Sequence, residues 1–409
     1  MNNTGLPHFG PTEEAGKNSP DKLTLKQKIQ ISKRRIRPIG ALLSVLLFIA
    51  LFAGMVGANA LLSANTVTPP SSIQKREGTT TIDFVGDIML GRNIMEMGEY
   101  SGYEPFFEGI TEYWKNDDLS FGNIECSVLN GEPSEYDGDP AYGNILLYTK
   151  YSAIDAVRKA GLTAFSCANN HFYDYGDRAT REFIGYLDRN GVIYSGIGRD
   201  NKDAARYTVI ELNGKKIAYI AIDDVYYLDE VAGEGKSGVL ATAFGDYTLL
   251  VYNAAQEADL TIVYMHWGDE NDFSVNKDQT VMAHMLIDAG ADVIVGAHPH
   301  VLQRVEKYHG GTVFYSLGNF IFDQGNTFSK DTAMVRMTYD ADGKGEFRVI
   351  PFRINDFTPR ETGNGYYKSR IFGRFTEGLD EKYYSYDENG YLVIPFELDF
   401  TDRTDDTGS

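Results

Sequence analysis

Five short segments of this 409-residue chain carry side chains suited to divalent-metal chemistry. In Gly296-Ala297-His298-Pro299-His300 two histidines stand two positions apart. Imidazole nitrogen is the commonest protein ligand for first-row metals. Gly86-Asp87, Asn123-Ile124-Glu125, Asn169-Asn170-His171 with Asp174, and His266-Trp267-Gly268 with Glu270 add carboxylates, amides and further imidazoles. Such a mixed donor set suits a borderline ion such as Zn, Mn or Fe. Two such ions roughly 4 Å apart would clamp a phosphoryl or similar anion and generate hydroxide near neutral pH. Taken singly, each acid could be a helix cap or surface charge and each Asn a turn residue. Their common placement is what favours metal.

That placement is the end of a strand. Asp87 follows the run Thr81–Val85, and Asn123 follows Leu-Ser-Phe-Gly. Asn169 follows Leu162–Cys167, His266 follows Leu260–Tyr264, and His298 follows Val293–Val295. Short apolar runs bounded by polar residues read as buried strands, and their ends hold ligands rigidly. Between them, Ser152–Ala160, Asp177–Asn190, Phe244–Gln256 and Gln279–Ala289 read as helices, the first closed by Gly161. Tyr207–Leu212, Asn213-Gly214 and Lys216–Ile222 form a hairpin signal. Gln303–Pro351 reads as strands and turns, and after Pro359 the pattern assigns nothing. The alternation predicts a layered α/β domain with a mixed sheet core.

The charge is unevenly spread. The chain carries −20, yet residues 1–38 hold eight Lys/Arg against Glu13, Glu14 and Asp21, a net of +5, so the remainder carries −25. An acidic body argues against nucleic acid as a partner. From Ile39 to Leu62 no residue is charged. About 20 apolar residues cross a bilayer as a helix. The basic cluster Lys33–Arg37 just before it places the N-terminus in the cytoplasm and the rest outside. Ala58-Asn59-Ala60 has the look of a cleavage site, but the apolar run exceeds the ~7–15 residues of a signal peptide, so an uncleaved anchor is expected. The expected organisation is a disordered basic cytoplasmic tail over 1–38, a transmembrane anchor over 39–62, a linker over 63–79 and an extracellular domain over 80–409.

The same segments carry a family resemblance. Phe84–Arg92 (FVGDIMLGR), Gly122–Glu125 (GNIE), Ala168–His171 (ANNH), His266–Glu270 (HWGDE), Gly296–Gln303 (GAHPHVLQ) and Tyr315–Phe322 (YSLGNFIF) resemble the bacterial CapA family of poly-γ-glutamate capsule-synthesis proteins. The resemblance spans about residues 81–325. It implies a fold similar to the calcineurin-like metallophosphoesterases, a β-sandwich flanked by helices. It further implies one or two divalent ions, with Asp87, Glu125, Asn170, His266, His298 and His300 as ligands and His171 as a general acid. The phosphoesterase first motif is Asp-x-His, and here Met89 stands at the histidine position. Glu125 stands where that family has Asp. The implied partners are the cell membrane, an anionic surface polymer such as poly-γ-glutamate, and membrane subunits of a synthesis complex. Two roles stay open: a metal-dependent hydrolase or transferase, and a non-catalytic polymer-binding or export component. No Gly-x-x-x-x-Gly-Lys-Ser/Thr phosphate loop supports a synthetase.

Other residues have two readings each. Arg92 could bind an anionic substrate or pair with an acid. Asp174 could orient His171 or cap the helix near Asp177. Asn319 could line the site or serve a turn. His8, His284 and His309 read as structural or exposed, and Cys126 and Cys167 as small buried strand residues rather than a disulfide.

Overall fold

The computed structural model describes residues 24–26, 28–29, 38–63, 75–137 and 145–400. Most of the expected tail, including His8, and most of the expected linker lie outside these residues. The chain divides into two units, Met1–Leu62 and Ser63–Ser409.

In the first unit, helix α1 (Pro38–Ser63) carries no charged residue, and its residues 40–58 are exposed. Its segment Gly40–Ala58 has a mean hydropathy of 2.5 and is long and apolar enough to cross a membrane. At 1.5 Å per residue, 26 residues span about 39 Å, more than the ~30 Å hydrocarbon core.

The second unit is built on two sheets. β1 (Thr80–Ile88) leads into α2 (Arg92–Ser101), and β2 (Leu119–Ile124) into α3 (Tyr151–Ala160). β3 (Ala164–Ser166), shorter than the apolar run suggests, leads through α4 (Gly176–Arg189) to β4 (Ile193–Ser195). β5 (Thr208–Leu212) and β6 (Lys215–Asp223) form the expected hairpin. Asn213 (φ 52°) and Gly214 (φ 79°) between them both take the left-handed backbone that a type I′ turn requires. Then follow α5 (Tyr247–Glu257), β7 (Leu260–His266), α6 (Lys277–Asp288), β8 (Val293–Ala297), β9 (Val305–Tyr308), β10 (Gly311–Phe314) and β11 (Asn319–Ile321). The long hairpin β12 (Asp331–Tyr339) and β13 (Lys344–Asn355) precedes β14 (Thr358–Glu361), α7 (Gly365–Phe375), β15 (Ser385–Tyr386) and β16 (Leu392–Glu397).

The ten-stranded sheet runs β15-β16-β13-β12-β1-β2-β3-β4, with β11 beside β1 and β14 beside β13. The six-stranded sheet runs β9-β10-β8-β7-β6-β5. Strands β1 to β4 are mutually parallel, as are β6, β7, β8 and β10. Residues alternate across each strand, so both faces of both sheets are apolar. Ile82, Phe84 and Phe121 face Tyr219, Tyr264 and Val295 between the sheets. Val85, Ile124 and Phe165 pack outward on Ile94, Ile154 and Phe183 of α2, α3 and α4. Ile220, Val263 and Ile294 pack outward on Val251 of α5 and Leu286 of α6. The result is the expected β-sandwich flanked by helices. Helix α7, which the sequence pattern did not predict, packs Ile371, Phe372 and Phe375 into the core between the sheets.

Two glycines set the backbone beneath the site. A Cβ on Gly86 would stand 1.8 Å from the Gly318 carbonyl oxygen, so only glycine lets β1 and the turn before β11 touch. That contact is fixed by the Asp87 N–H, which donates to Gly318 O at 3.0 Å. A Cβ on Gly296 would stand 1.9 Å from Tyr315 O, at the end of β8.

Candidate metal centre

The parallel strands deliver the polar residues to one place, where their carboxyl ends meet. Asp87 is the next-to-last residue of β1, and Glu125 follows β2. Asn169 to His171 follow β3, His266 ends β7, and His298 and His300 follow β8. Asp87 and Glu125 are fully buried, and His266, His298 and His300 nearly so. They form two groups whose ligand atoms lie within 4.8 Å of one another: Asp87, Glu125 and His300, and Glu125, His266 and His298. Glu125 belongs to both. Asn170 joins the second group, its Oδ1 being 3.0 Å from His266 Nε2, which in turn is 3.2 Å from His298 Nδ1. All six ligands expected from the resemblance are therefore brought together.

The geometry passes a test of fit. Donor atoms bonded at ~2.1 Å around one ion stand roughly 3.0–3.4 Å apart, by tetrahedral or octahedral geometry. The Asn170, His266 and His298 atoms stand at that spacing. Both carboxylate oxygens of Glu125 are buried without a hydrogen-bond partner. A buried carboxylate in that state costs several kcal/mol unless a proton or a cation meets it. Burial pushes the Glu125 carboxyl well above the usual range, and the neighbouring Asp87 adds to this. Burial, with the other imidazoles beside it, drives His266 far below the usual histidine range and His298 down to about 3. Both are thus neutral, as a metal ligand must be.

Amides frame the ligands. Asn123 Nδ2 donates to Asp87 Oδ1 at 2.9 Å and lies 3.3 Å from His266 Nδ1. Asn169 Nδ2 donates to Asn123 Oδ1 at 3.1 Å and to Ile124 O at 2.8 Å, and Asn169 Oδ1 accepts the His171 N–H. The His298 N–H donates to Asp87 Oδ2 at 3.2 Å. His298 (φ 92°) and His300 (φ 57°) both hold left-handed backbone, strain of the kind stored at functional sites.

His171 is half-buried, its Nδ1 3.0 Å from Asp174 Oδ2. The same oxygen accepts the Leu147 N–H at 2.6 Å, and α4 has no side-chain cap, so Asp174 orients His171 rather than capping the helix. Burial raises the Asp174 carboxyl, and the His171 bond offsets part of that rise. Arg92 pairs with Asp323, whose other oxygen accepts Asn93 Nδ2 at 2.9 Å. Its guanidinium lies 5.6 Å from the Phe322 ring centre, and that ring lies 4.9 Å from His300. Met89 is buried, and its sulfur accepts the Gly91 N–H at 3.1 Å, so it takes a core role where the phosphoesterase motif has histidine. Glu270 is exposed and belongs to neither ligand group. Asn319 lies beside these residues, its Oδ1 being 2.9 Å from His300 Nδ1.

Sequence reasoning missed Asp223, and it named Asn123 among the strand-end residues without giving it a role. Asp223 ends β6 in register with His266, is fully buried, and has one carboxylate oxygen without a partner. The signal that found Asp87, an acid closing an apolar strand, was present at Asp223 too. Cys126 and Cys167 are free, buried thiols, and burial pushes Cys126 up to about 12. His284 stands 3.1 Å from Glu306, and His309 is exposed.

The family described as bacterial capsule synthesis protein PGA_cap matches residues 81–324. The chain is 32% identical to the capsule biosynthesis protein CapA of Bacillus anthracis, over 87% of each chain. It is 31% identical to the PGA biosynthesis protein CapA of Bacillus subtilis (strain 168), over 93% of this chain and 96% of that one. Among solved structures, a 5′-nucleotidase precursor from Thermus thermophilus aligns with a TM-score of 0.38 at 12% identity, over 74% of this chain and 59% of that one. With the family model spanning every strand end that contributes to these two groups, and two relatives above 30% identity along most of its length, the chain belongs to the bacterial capsule synthesis protein family.

Proposed function

We propose that this chain is a membrane-anchored component of capsule synthesis. Its domain acts outside the cytoplasmic membrane on an anionic polymer of the poly-γ-glutamate type, through a centre of one or two divalent ions. The observation that carries the reading is Glu125: a fully buried carboxylate, without a hydrogen-bond partner at either oxygen and shared between two ligand groups. The anchor rests on α1 and the basic cluster before it, with the boundaries 1–38, 39–62, 63–79 and 80–409. The polymer rests on the names of the two relatives, and subunits of a membrane synthesis complex are the partners that this role implies.

Asp87, Glu125 and His300 would hold one ion, and Glu125, Asn170, His266 and His298 the other. A bound divalent ion, whether Zn, Mn or Fe, supplies a Lewis acid and brings the pKa of water near neutrality. The chain supplies the rest. His171, with Nδ1 engaged by Asp174, has Nε2 left to hand a proton to a leaving group. Arg92 keeps a third of its side chain exposed, and the exposed part of its guanidinium that Asp323 does not use can meet a substrate carboxylate. One observation favours the non-catalytic reading: with Met89 in the core, the first ligand group has a single imidazole.

Metal content of the full-length chain and polymer output of a complemented deletion strain test the proposal together. His171→Asn should keep the ion and lower turnover by ~10²–10⁴-fold, the usual worth of a positioned acid. Normal output from a metal-replete His171→Asn strain would defeat the catalytic step and leave a binding role.

A further inference from the structure

Asn319 is fully buried at the start of β11, in register with Asp87 of β1. Its Nδ2 donates to Gln324 Oε1 at 3.0 Å and approaches Ser329 O at 3.4 Å. Both neighbours accept, so the amide is oriented: its NH₂ faces them, and its Oδ1 faces His300 Nδ1 at 2.9 Å. An amide oxygen cannot donate. The proton of a neutral His300 therefore sits on Nδ1, and Nε2 is left bare. That bare nitrogen is 3.6 Å from Glu125 Oε1. Asp87 Oδ2, 3.3 Å from Nδ1, favours the same proton position.

We propose that Asn319 is a positioning residue that fixes the tautomer and ring orientation of His300, presenting Nε2 as the ligand to the first ion. This rests on the metal reading above and adds to it a residue that touches neither ion nor substrate. The need follows from the make-up of the first ligand group. With Met89 withdrawn into the core, His300 is the sole imidazole of its ligand group, and its tautomer decides whether the group has a nitrogen ligand at all. Outer partners of this kind typically carry 10–100-fold in metal affinity.

The test is magic-angle-spinning nitrogen NMR on the full-length chain in lipid bilayers, labelled with ¹⁵N-histidine and stripped of metal. The His300 signals are assigned by difference against His300→Gln. Zn²⁺ affinity is measured in parallel by chelator competition. In the wild type, His300 should be protonated at Nδ1 only. Asn319→Leu, which keeps volume but no acceptor, should lose that single form and bind Zn²⁺ 10–100-fold more weakly. Asn319→Asp, which keeps an acceptor, should restore both the Nδ1–H form and the affinity, a rescue that a merely structural residue would not give. An unchanged His300 spectrum and affinity in Asn319→Leu would overturn the proposal. If that variant does not fold, Asn319→Asp decides alone: a bare Nδ1 there overturns it equally. A wild type that binds no Zn²⁺ yet holds the Nδ1–H form would sink the metal reading while supporting the hydrogen bond.

Discussion

Replacing Glu125 by Gln should change stability in opposite directions with and without metal. Without metal, the fold buries a carboxyl whose two oxygens have no hydrogen-bond partner, beside Asp87. Its folded pKa is raised above the unfolded value of ~4.3, so the folded chain binds the extra proton. The sign follows: stability is fullest below pH ~4.3 and declines by up to about 1.4 kcal/mol per pH unit as pH rises toward the raised folded value. Gln has no such proton to hold. The metal-free Glu125→Gln chain should therefore be more stable than metal-free wild type at neutral pH, with the advantage gone near pH 4. With metal the order reverses. An ion at a hundred times its Kd stabilises the fold by about 2.7 kcal/mol. For the roughly 330 residues from Thr80 onward, an unfolding entropy of about 2.1 cal/mol/K per residue gives about 0.7 kcal/mol/K, so wild type should gain about 4 °C. Glu125→Gln, lacking the anion shared by both ligand groups, should gain little of this. The assay is thermal unfolding of the full-length chain in lipid nanodiscs, in chelator and in graded Zn²⁺ or Mn²⁺, at pH 4, 6 and 7.5. A variant less stable than wild type in chelator at pH 7.5 would show that Glu125 is no unsatisfied buried acid, and one with the same metal-dependent rise would show that it holds no ion.

Three further outcomes are expected. Arg336 reaches Asp83 with Nε at 2.7 Å and Nη2 at 2.6 Å, both residues being buried, so Arg336→Met should cost about 3–5 kcal/mol in denaturant unfolding, because it strands Asp83. A loss under 1 kcal/mol would contradict the buried pair. Glu230 is nearly buried, and burial lifts its carboxyl to about 8, so wild type loses stability as pH rises from ~4.5 to 8; Glu230→Gln should be about 3 kcal/mol more stable at pH 7 and equal at pH 4. Identical pH–stability curves would refute this. Protease added to intact protoplasts should digest residues beyond 63 and spare the N-terminal tail; protection of the whole chain would overturn the outward orientation.

What the chain alone determines follows from periodicity and residue type. The apolar runs before Asp87, Asn123, Asn169, His266 and His298 had to be strands, because short runs closed by polar residues bury best in a sheet. The uncharged stretch Ile39–Leu62 had to be one long apolar helix. Helix α7 was illegible, since Gly365–Phe375 mixes Tyr, Arg, Gly and Phe without a clean stripe, and only the gap between the sheets selects Ile371, Phe372 and Phe375 as its buried face. How the candidate ligands divide into two groups depends on the packing of the two sheets. Glu125 meets both groups because β2 lies beside β1 in one sheet while β7 and β8 lie in the other. Asp223 enters the neighbourhood through its register with His266, and Asn319 through its register with Asp87. Residues nearly a hundred or more positions apart, such as Asn170 and His266 or Asp87 and His298, come within hydrogen-bond distance through strand order and register, which depend on packing between sheets and not on any local pattern.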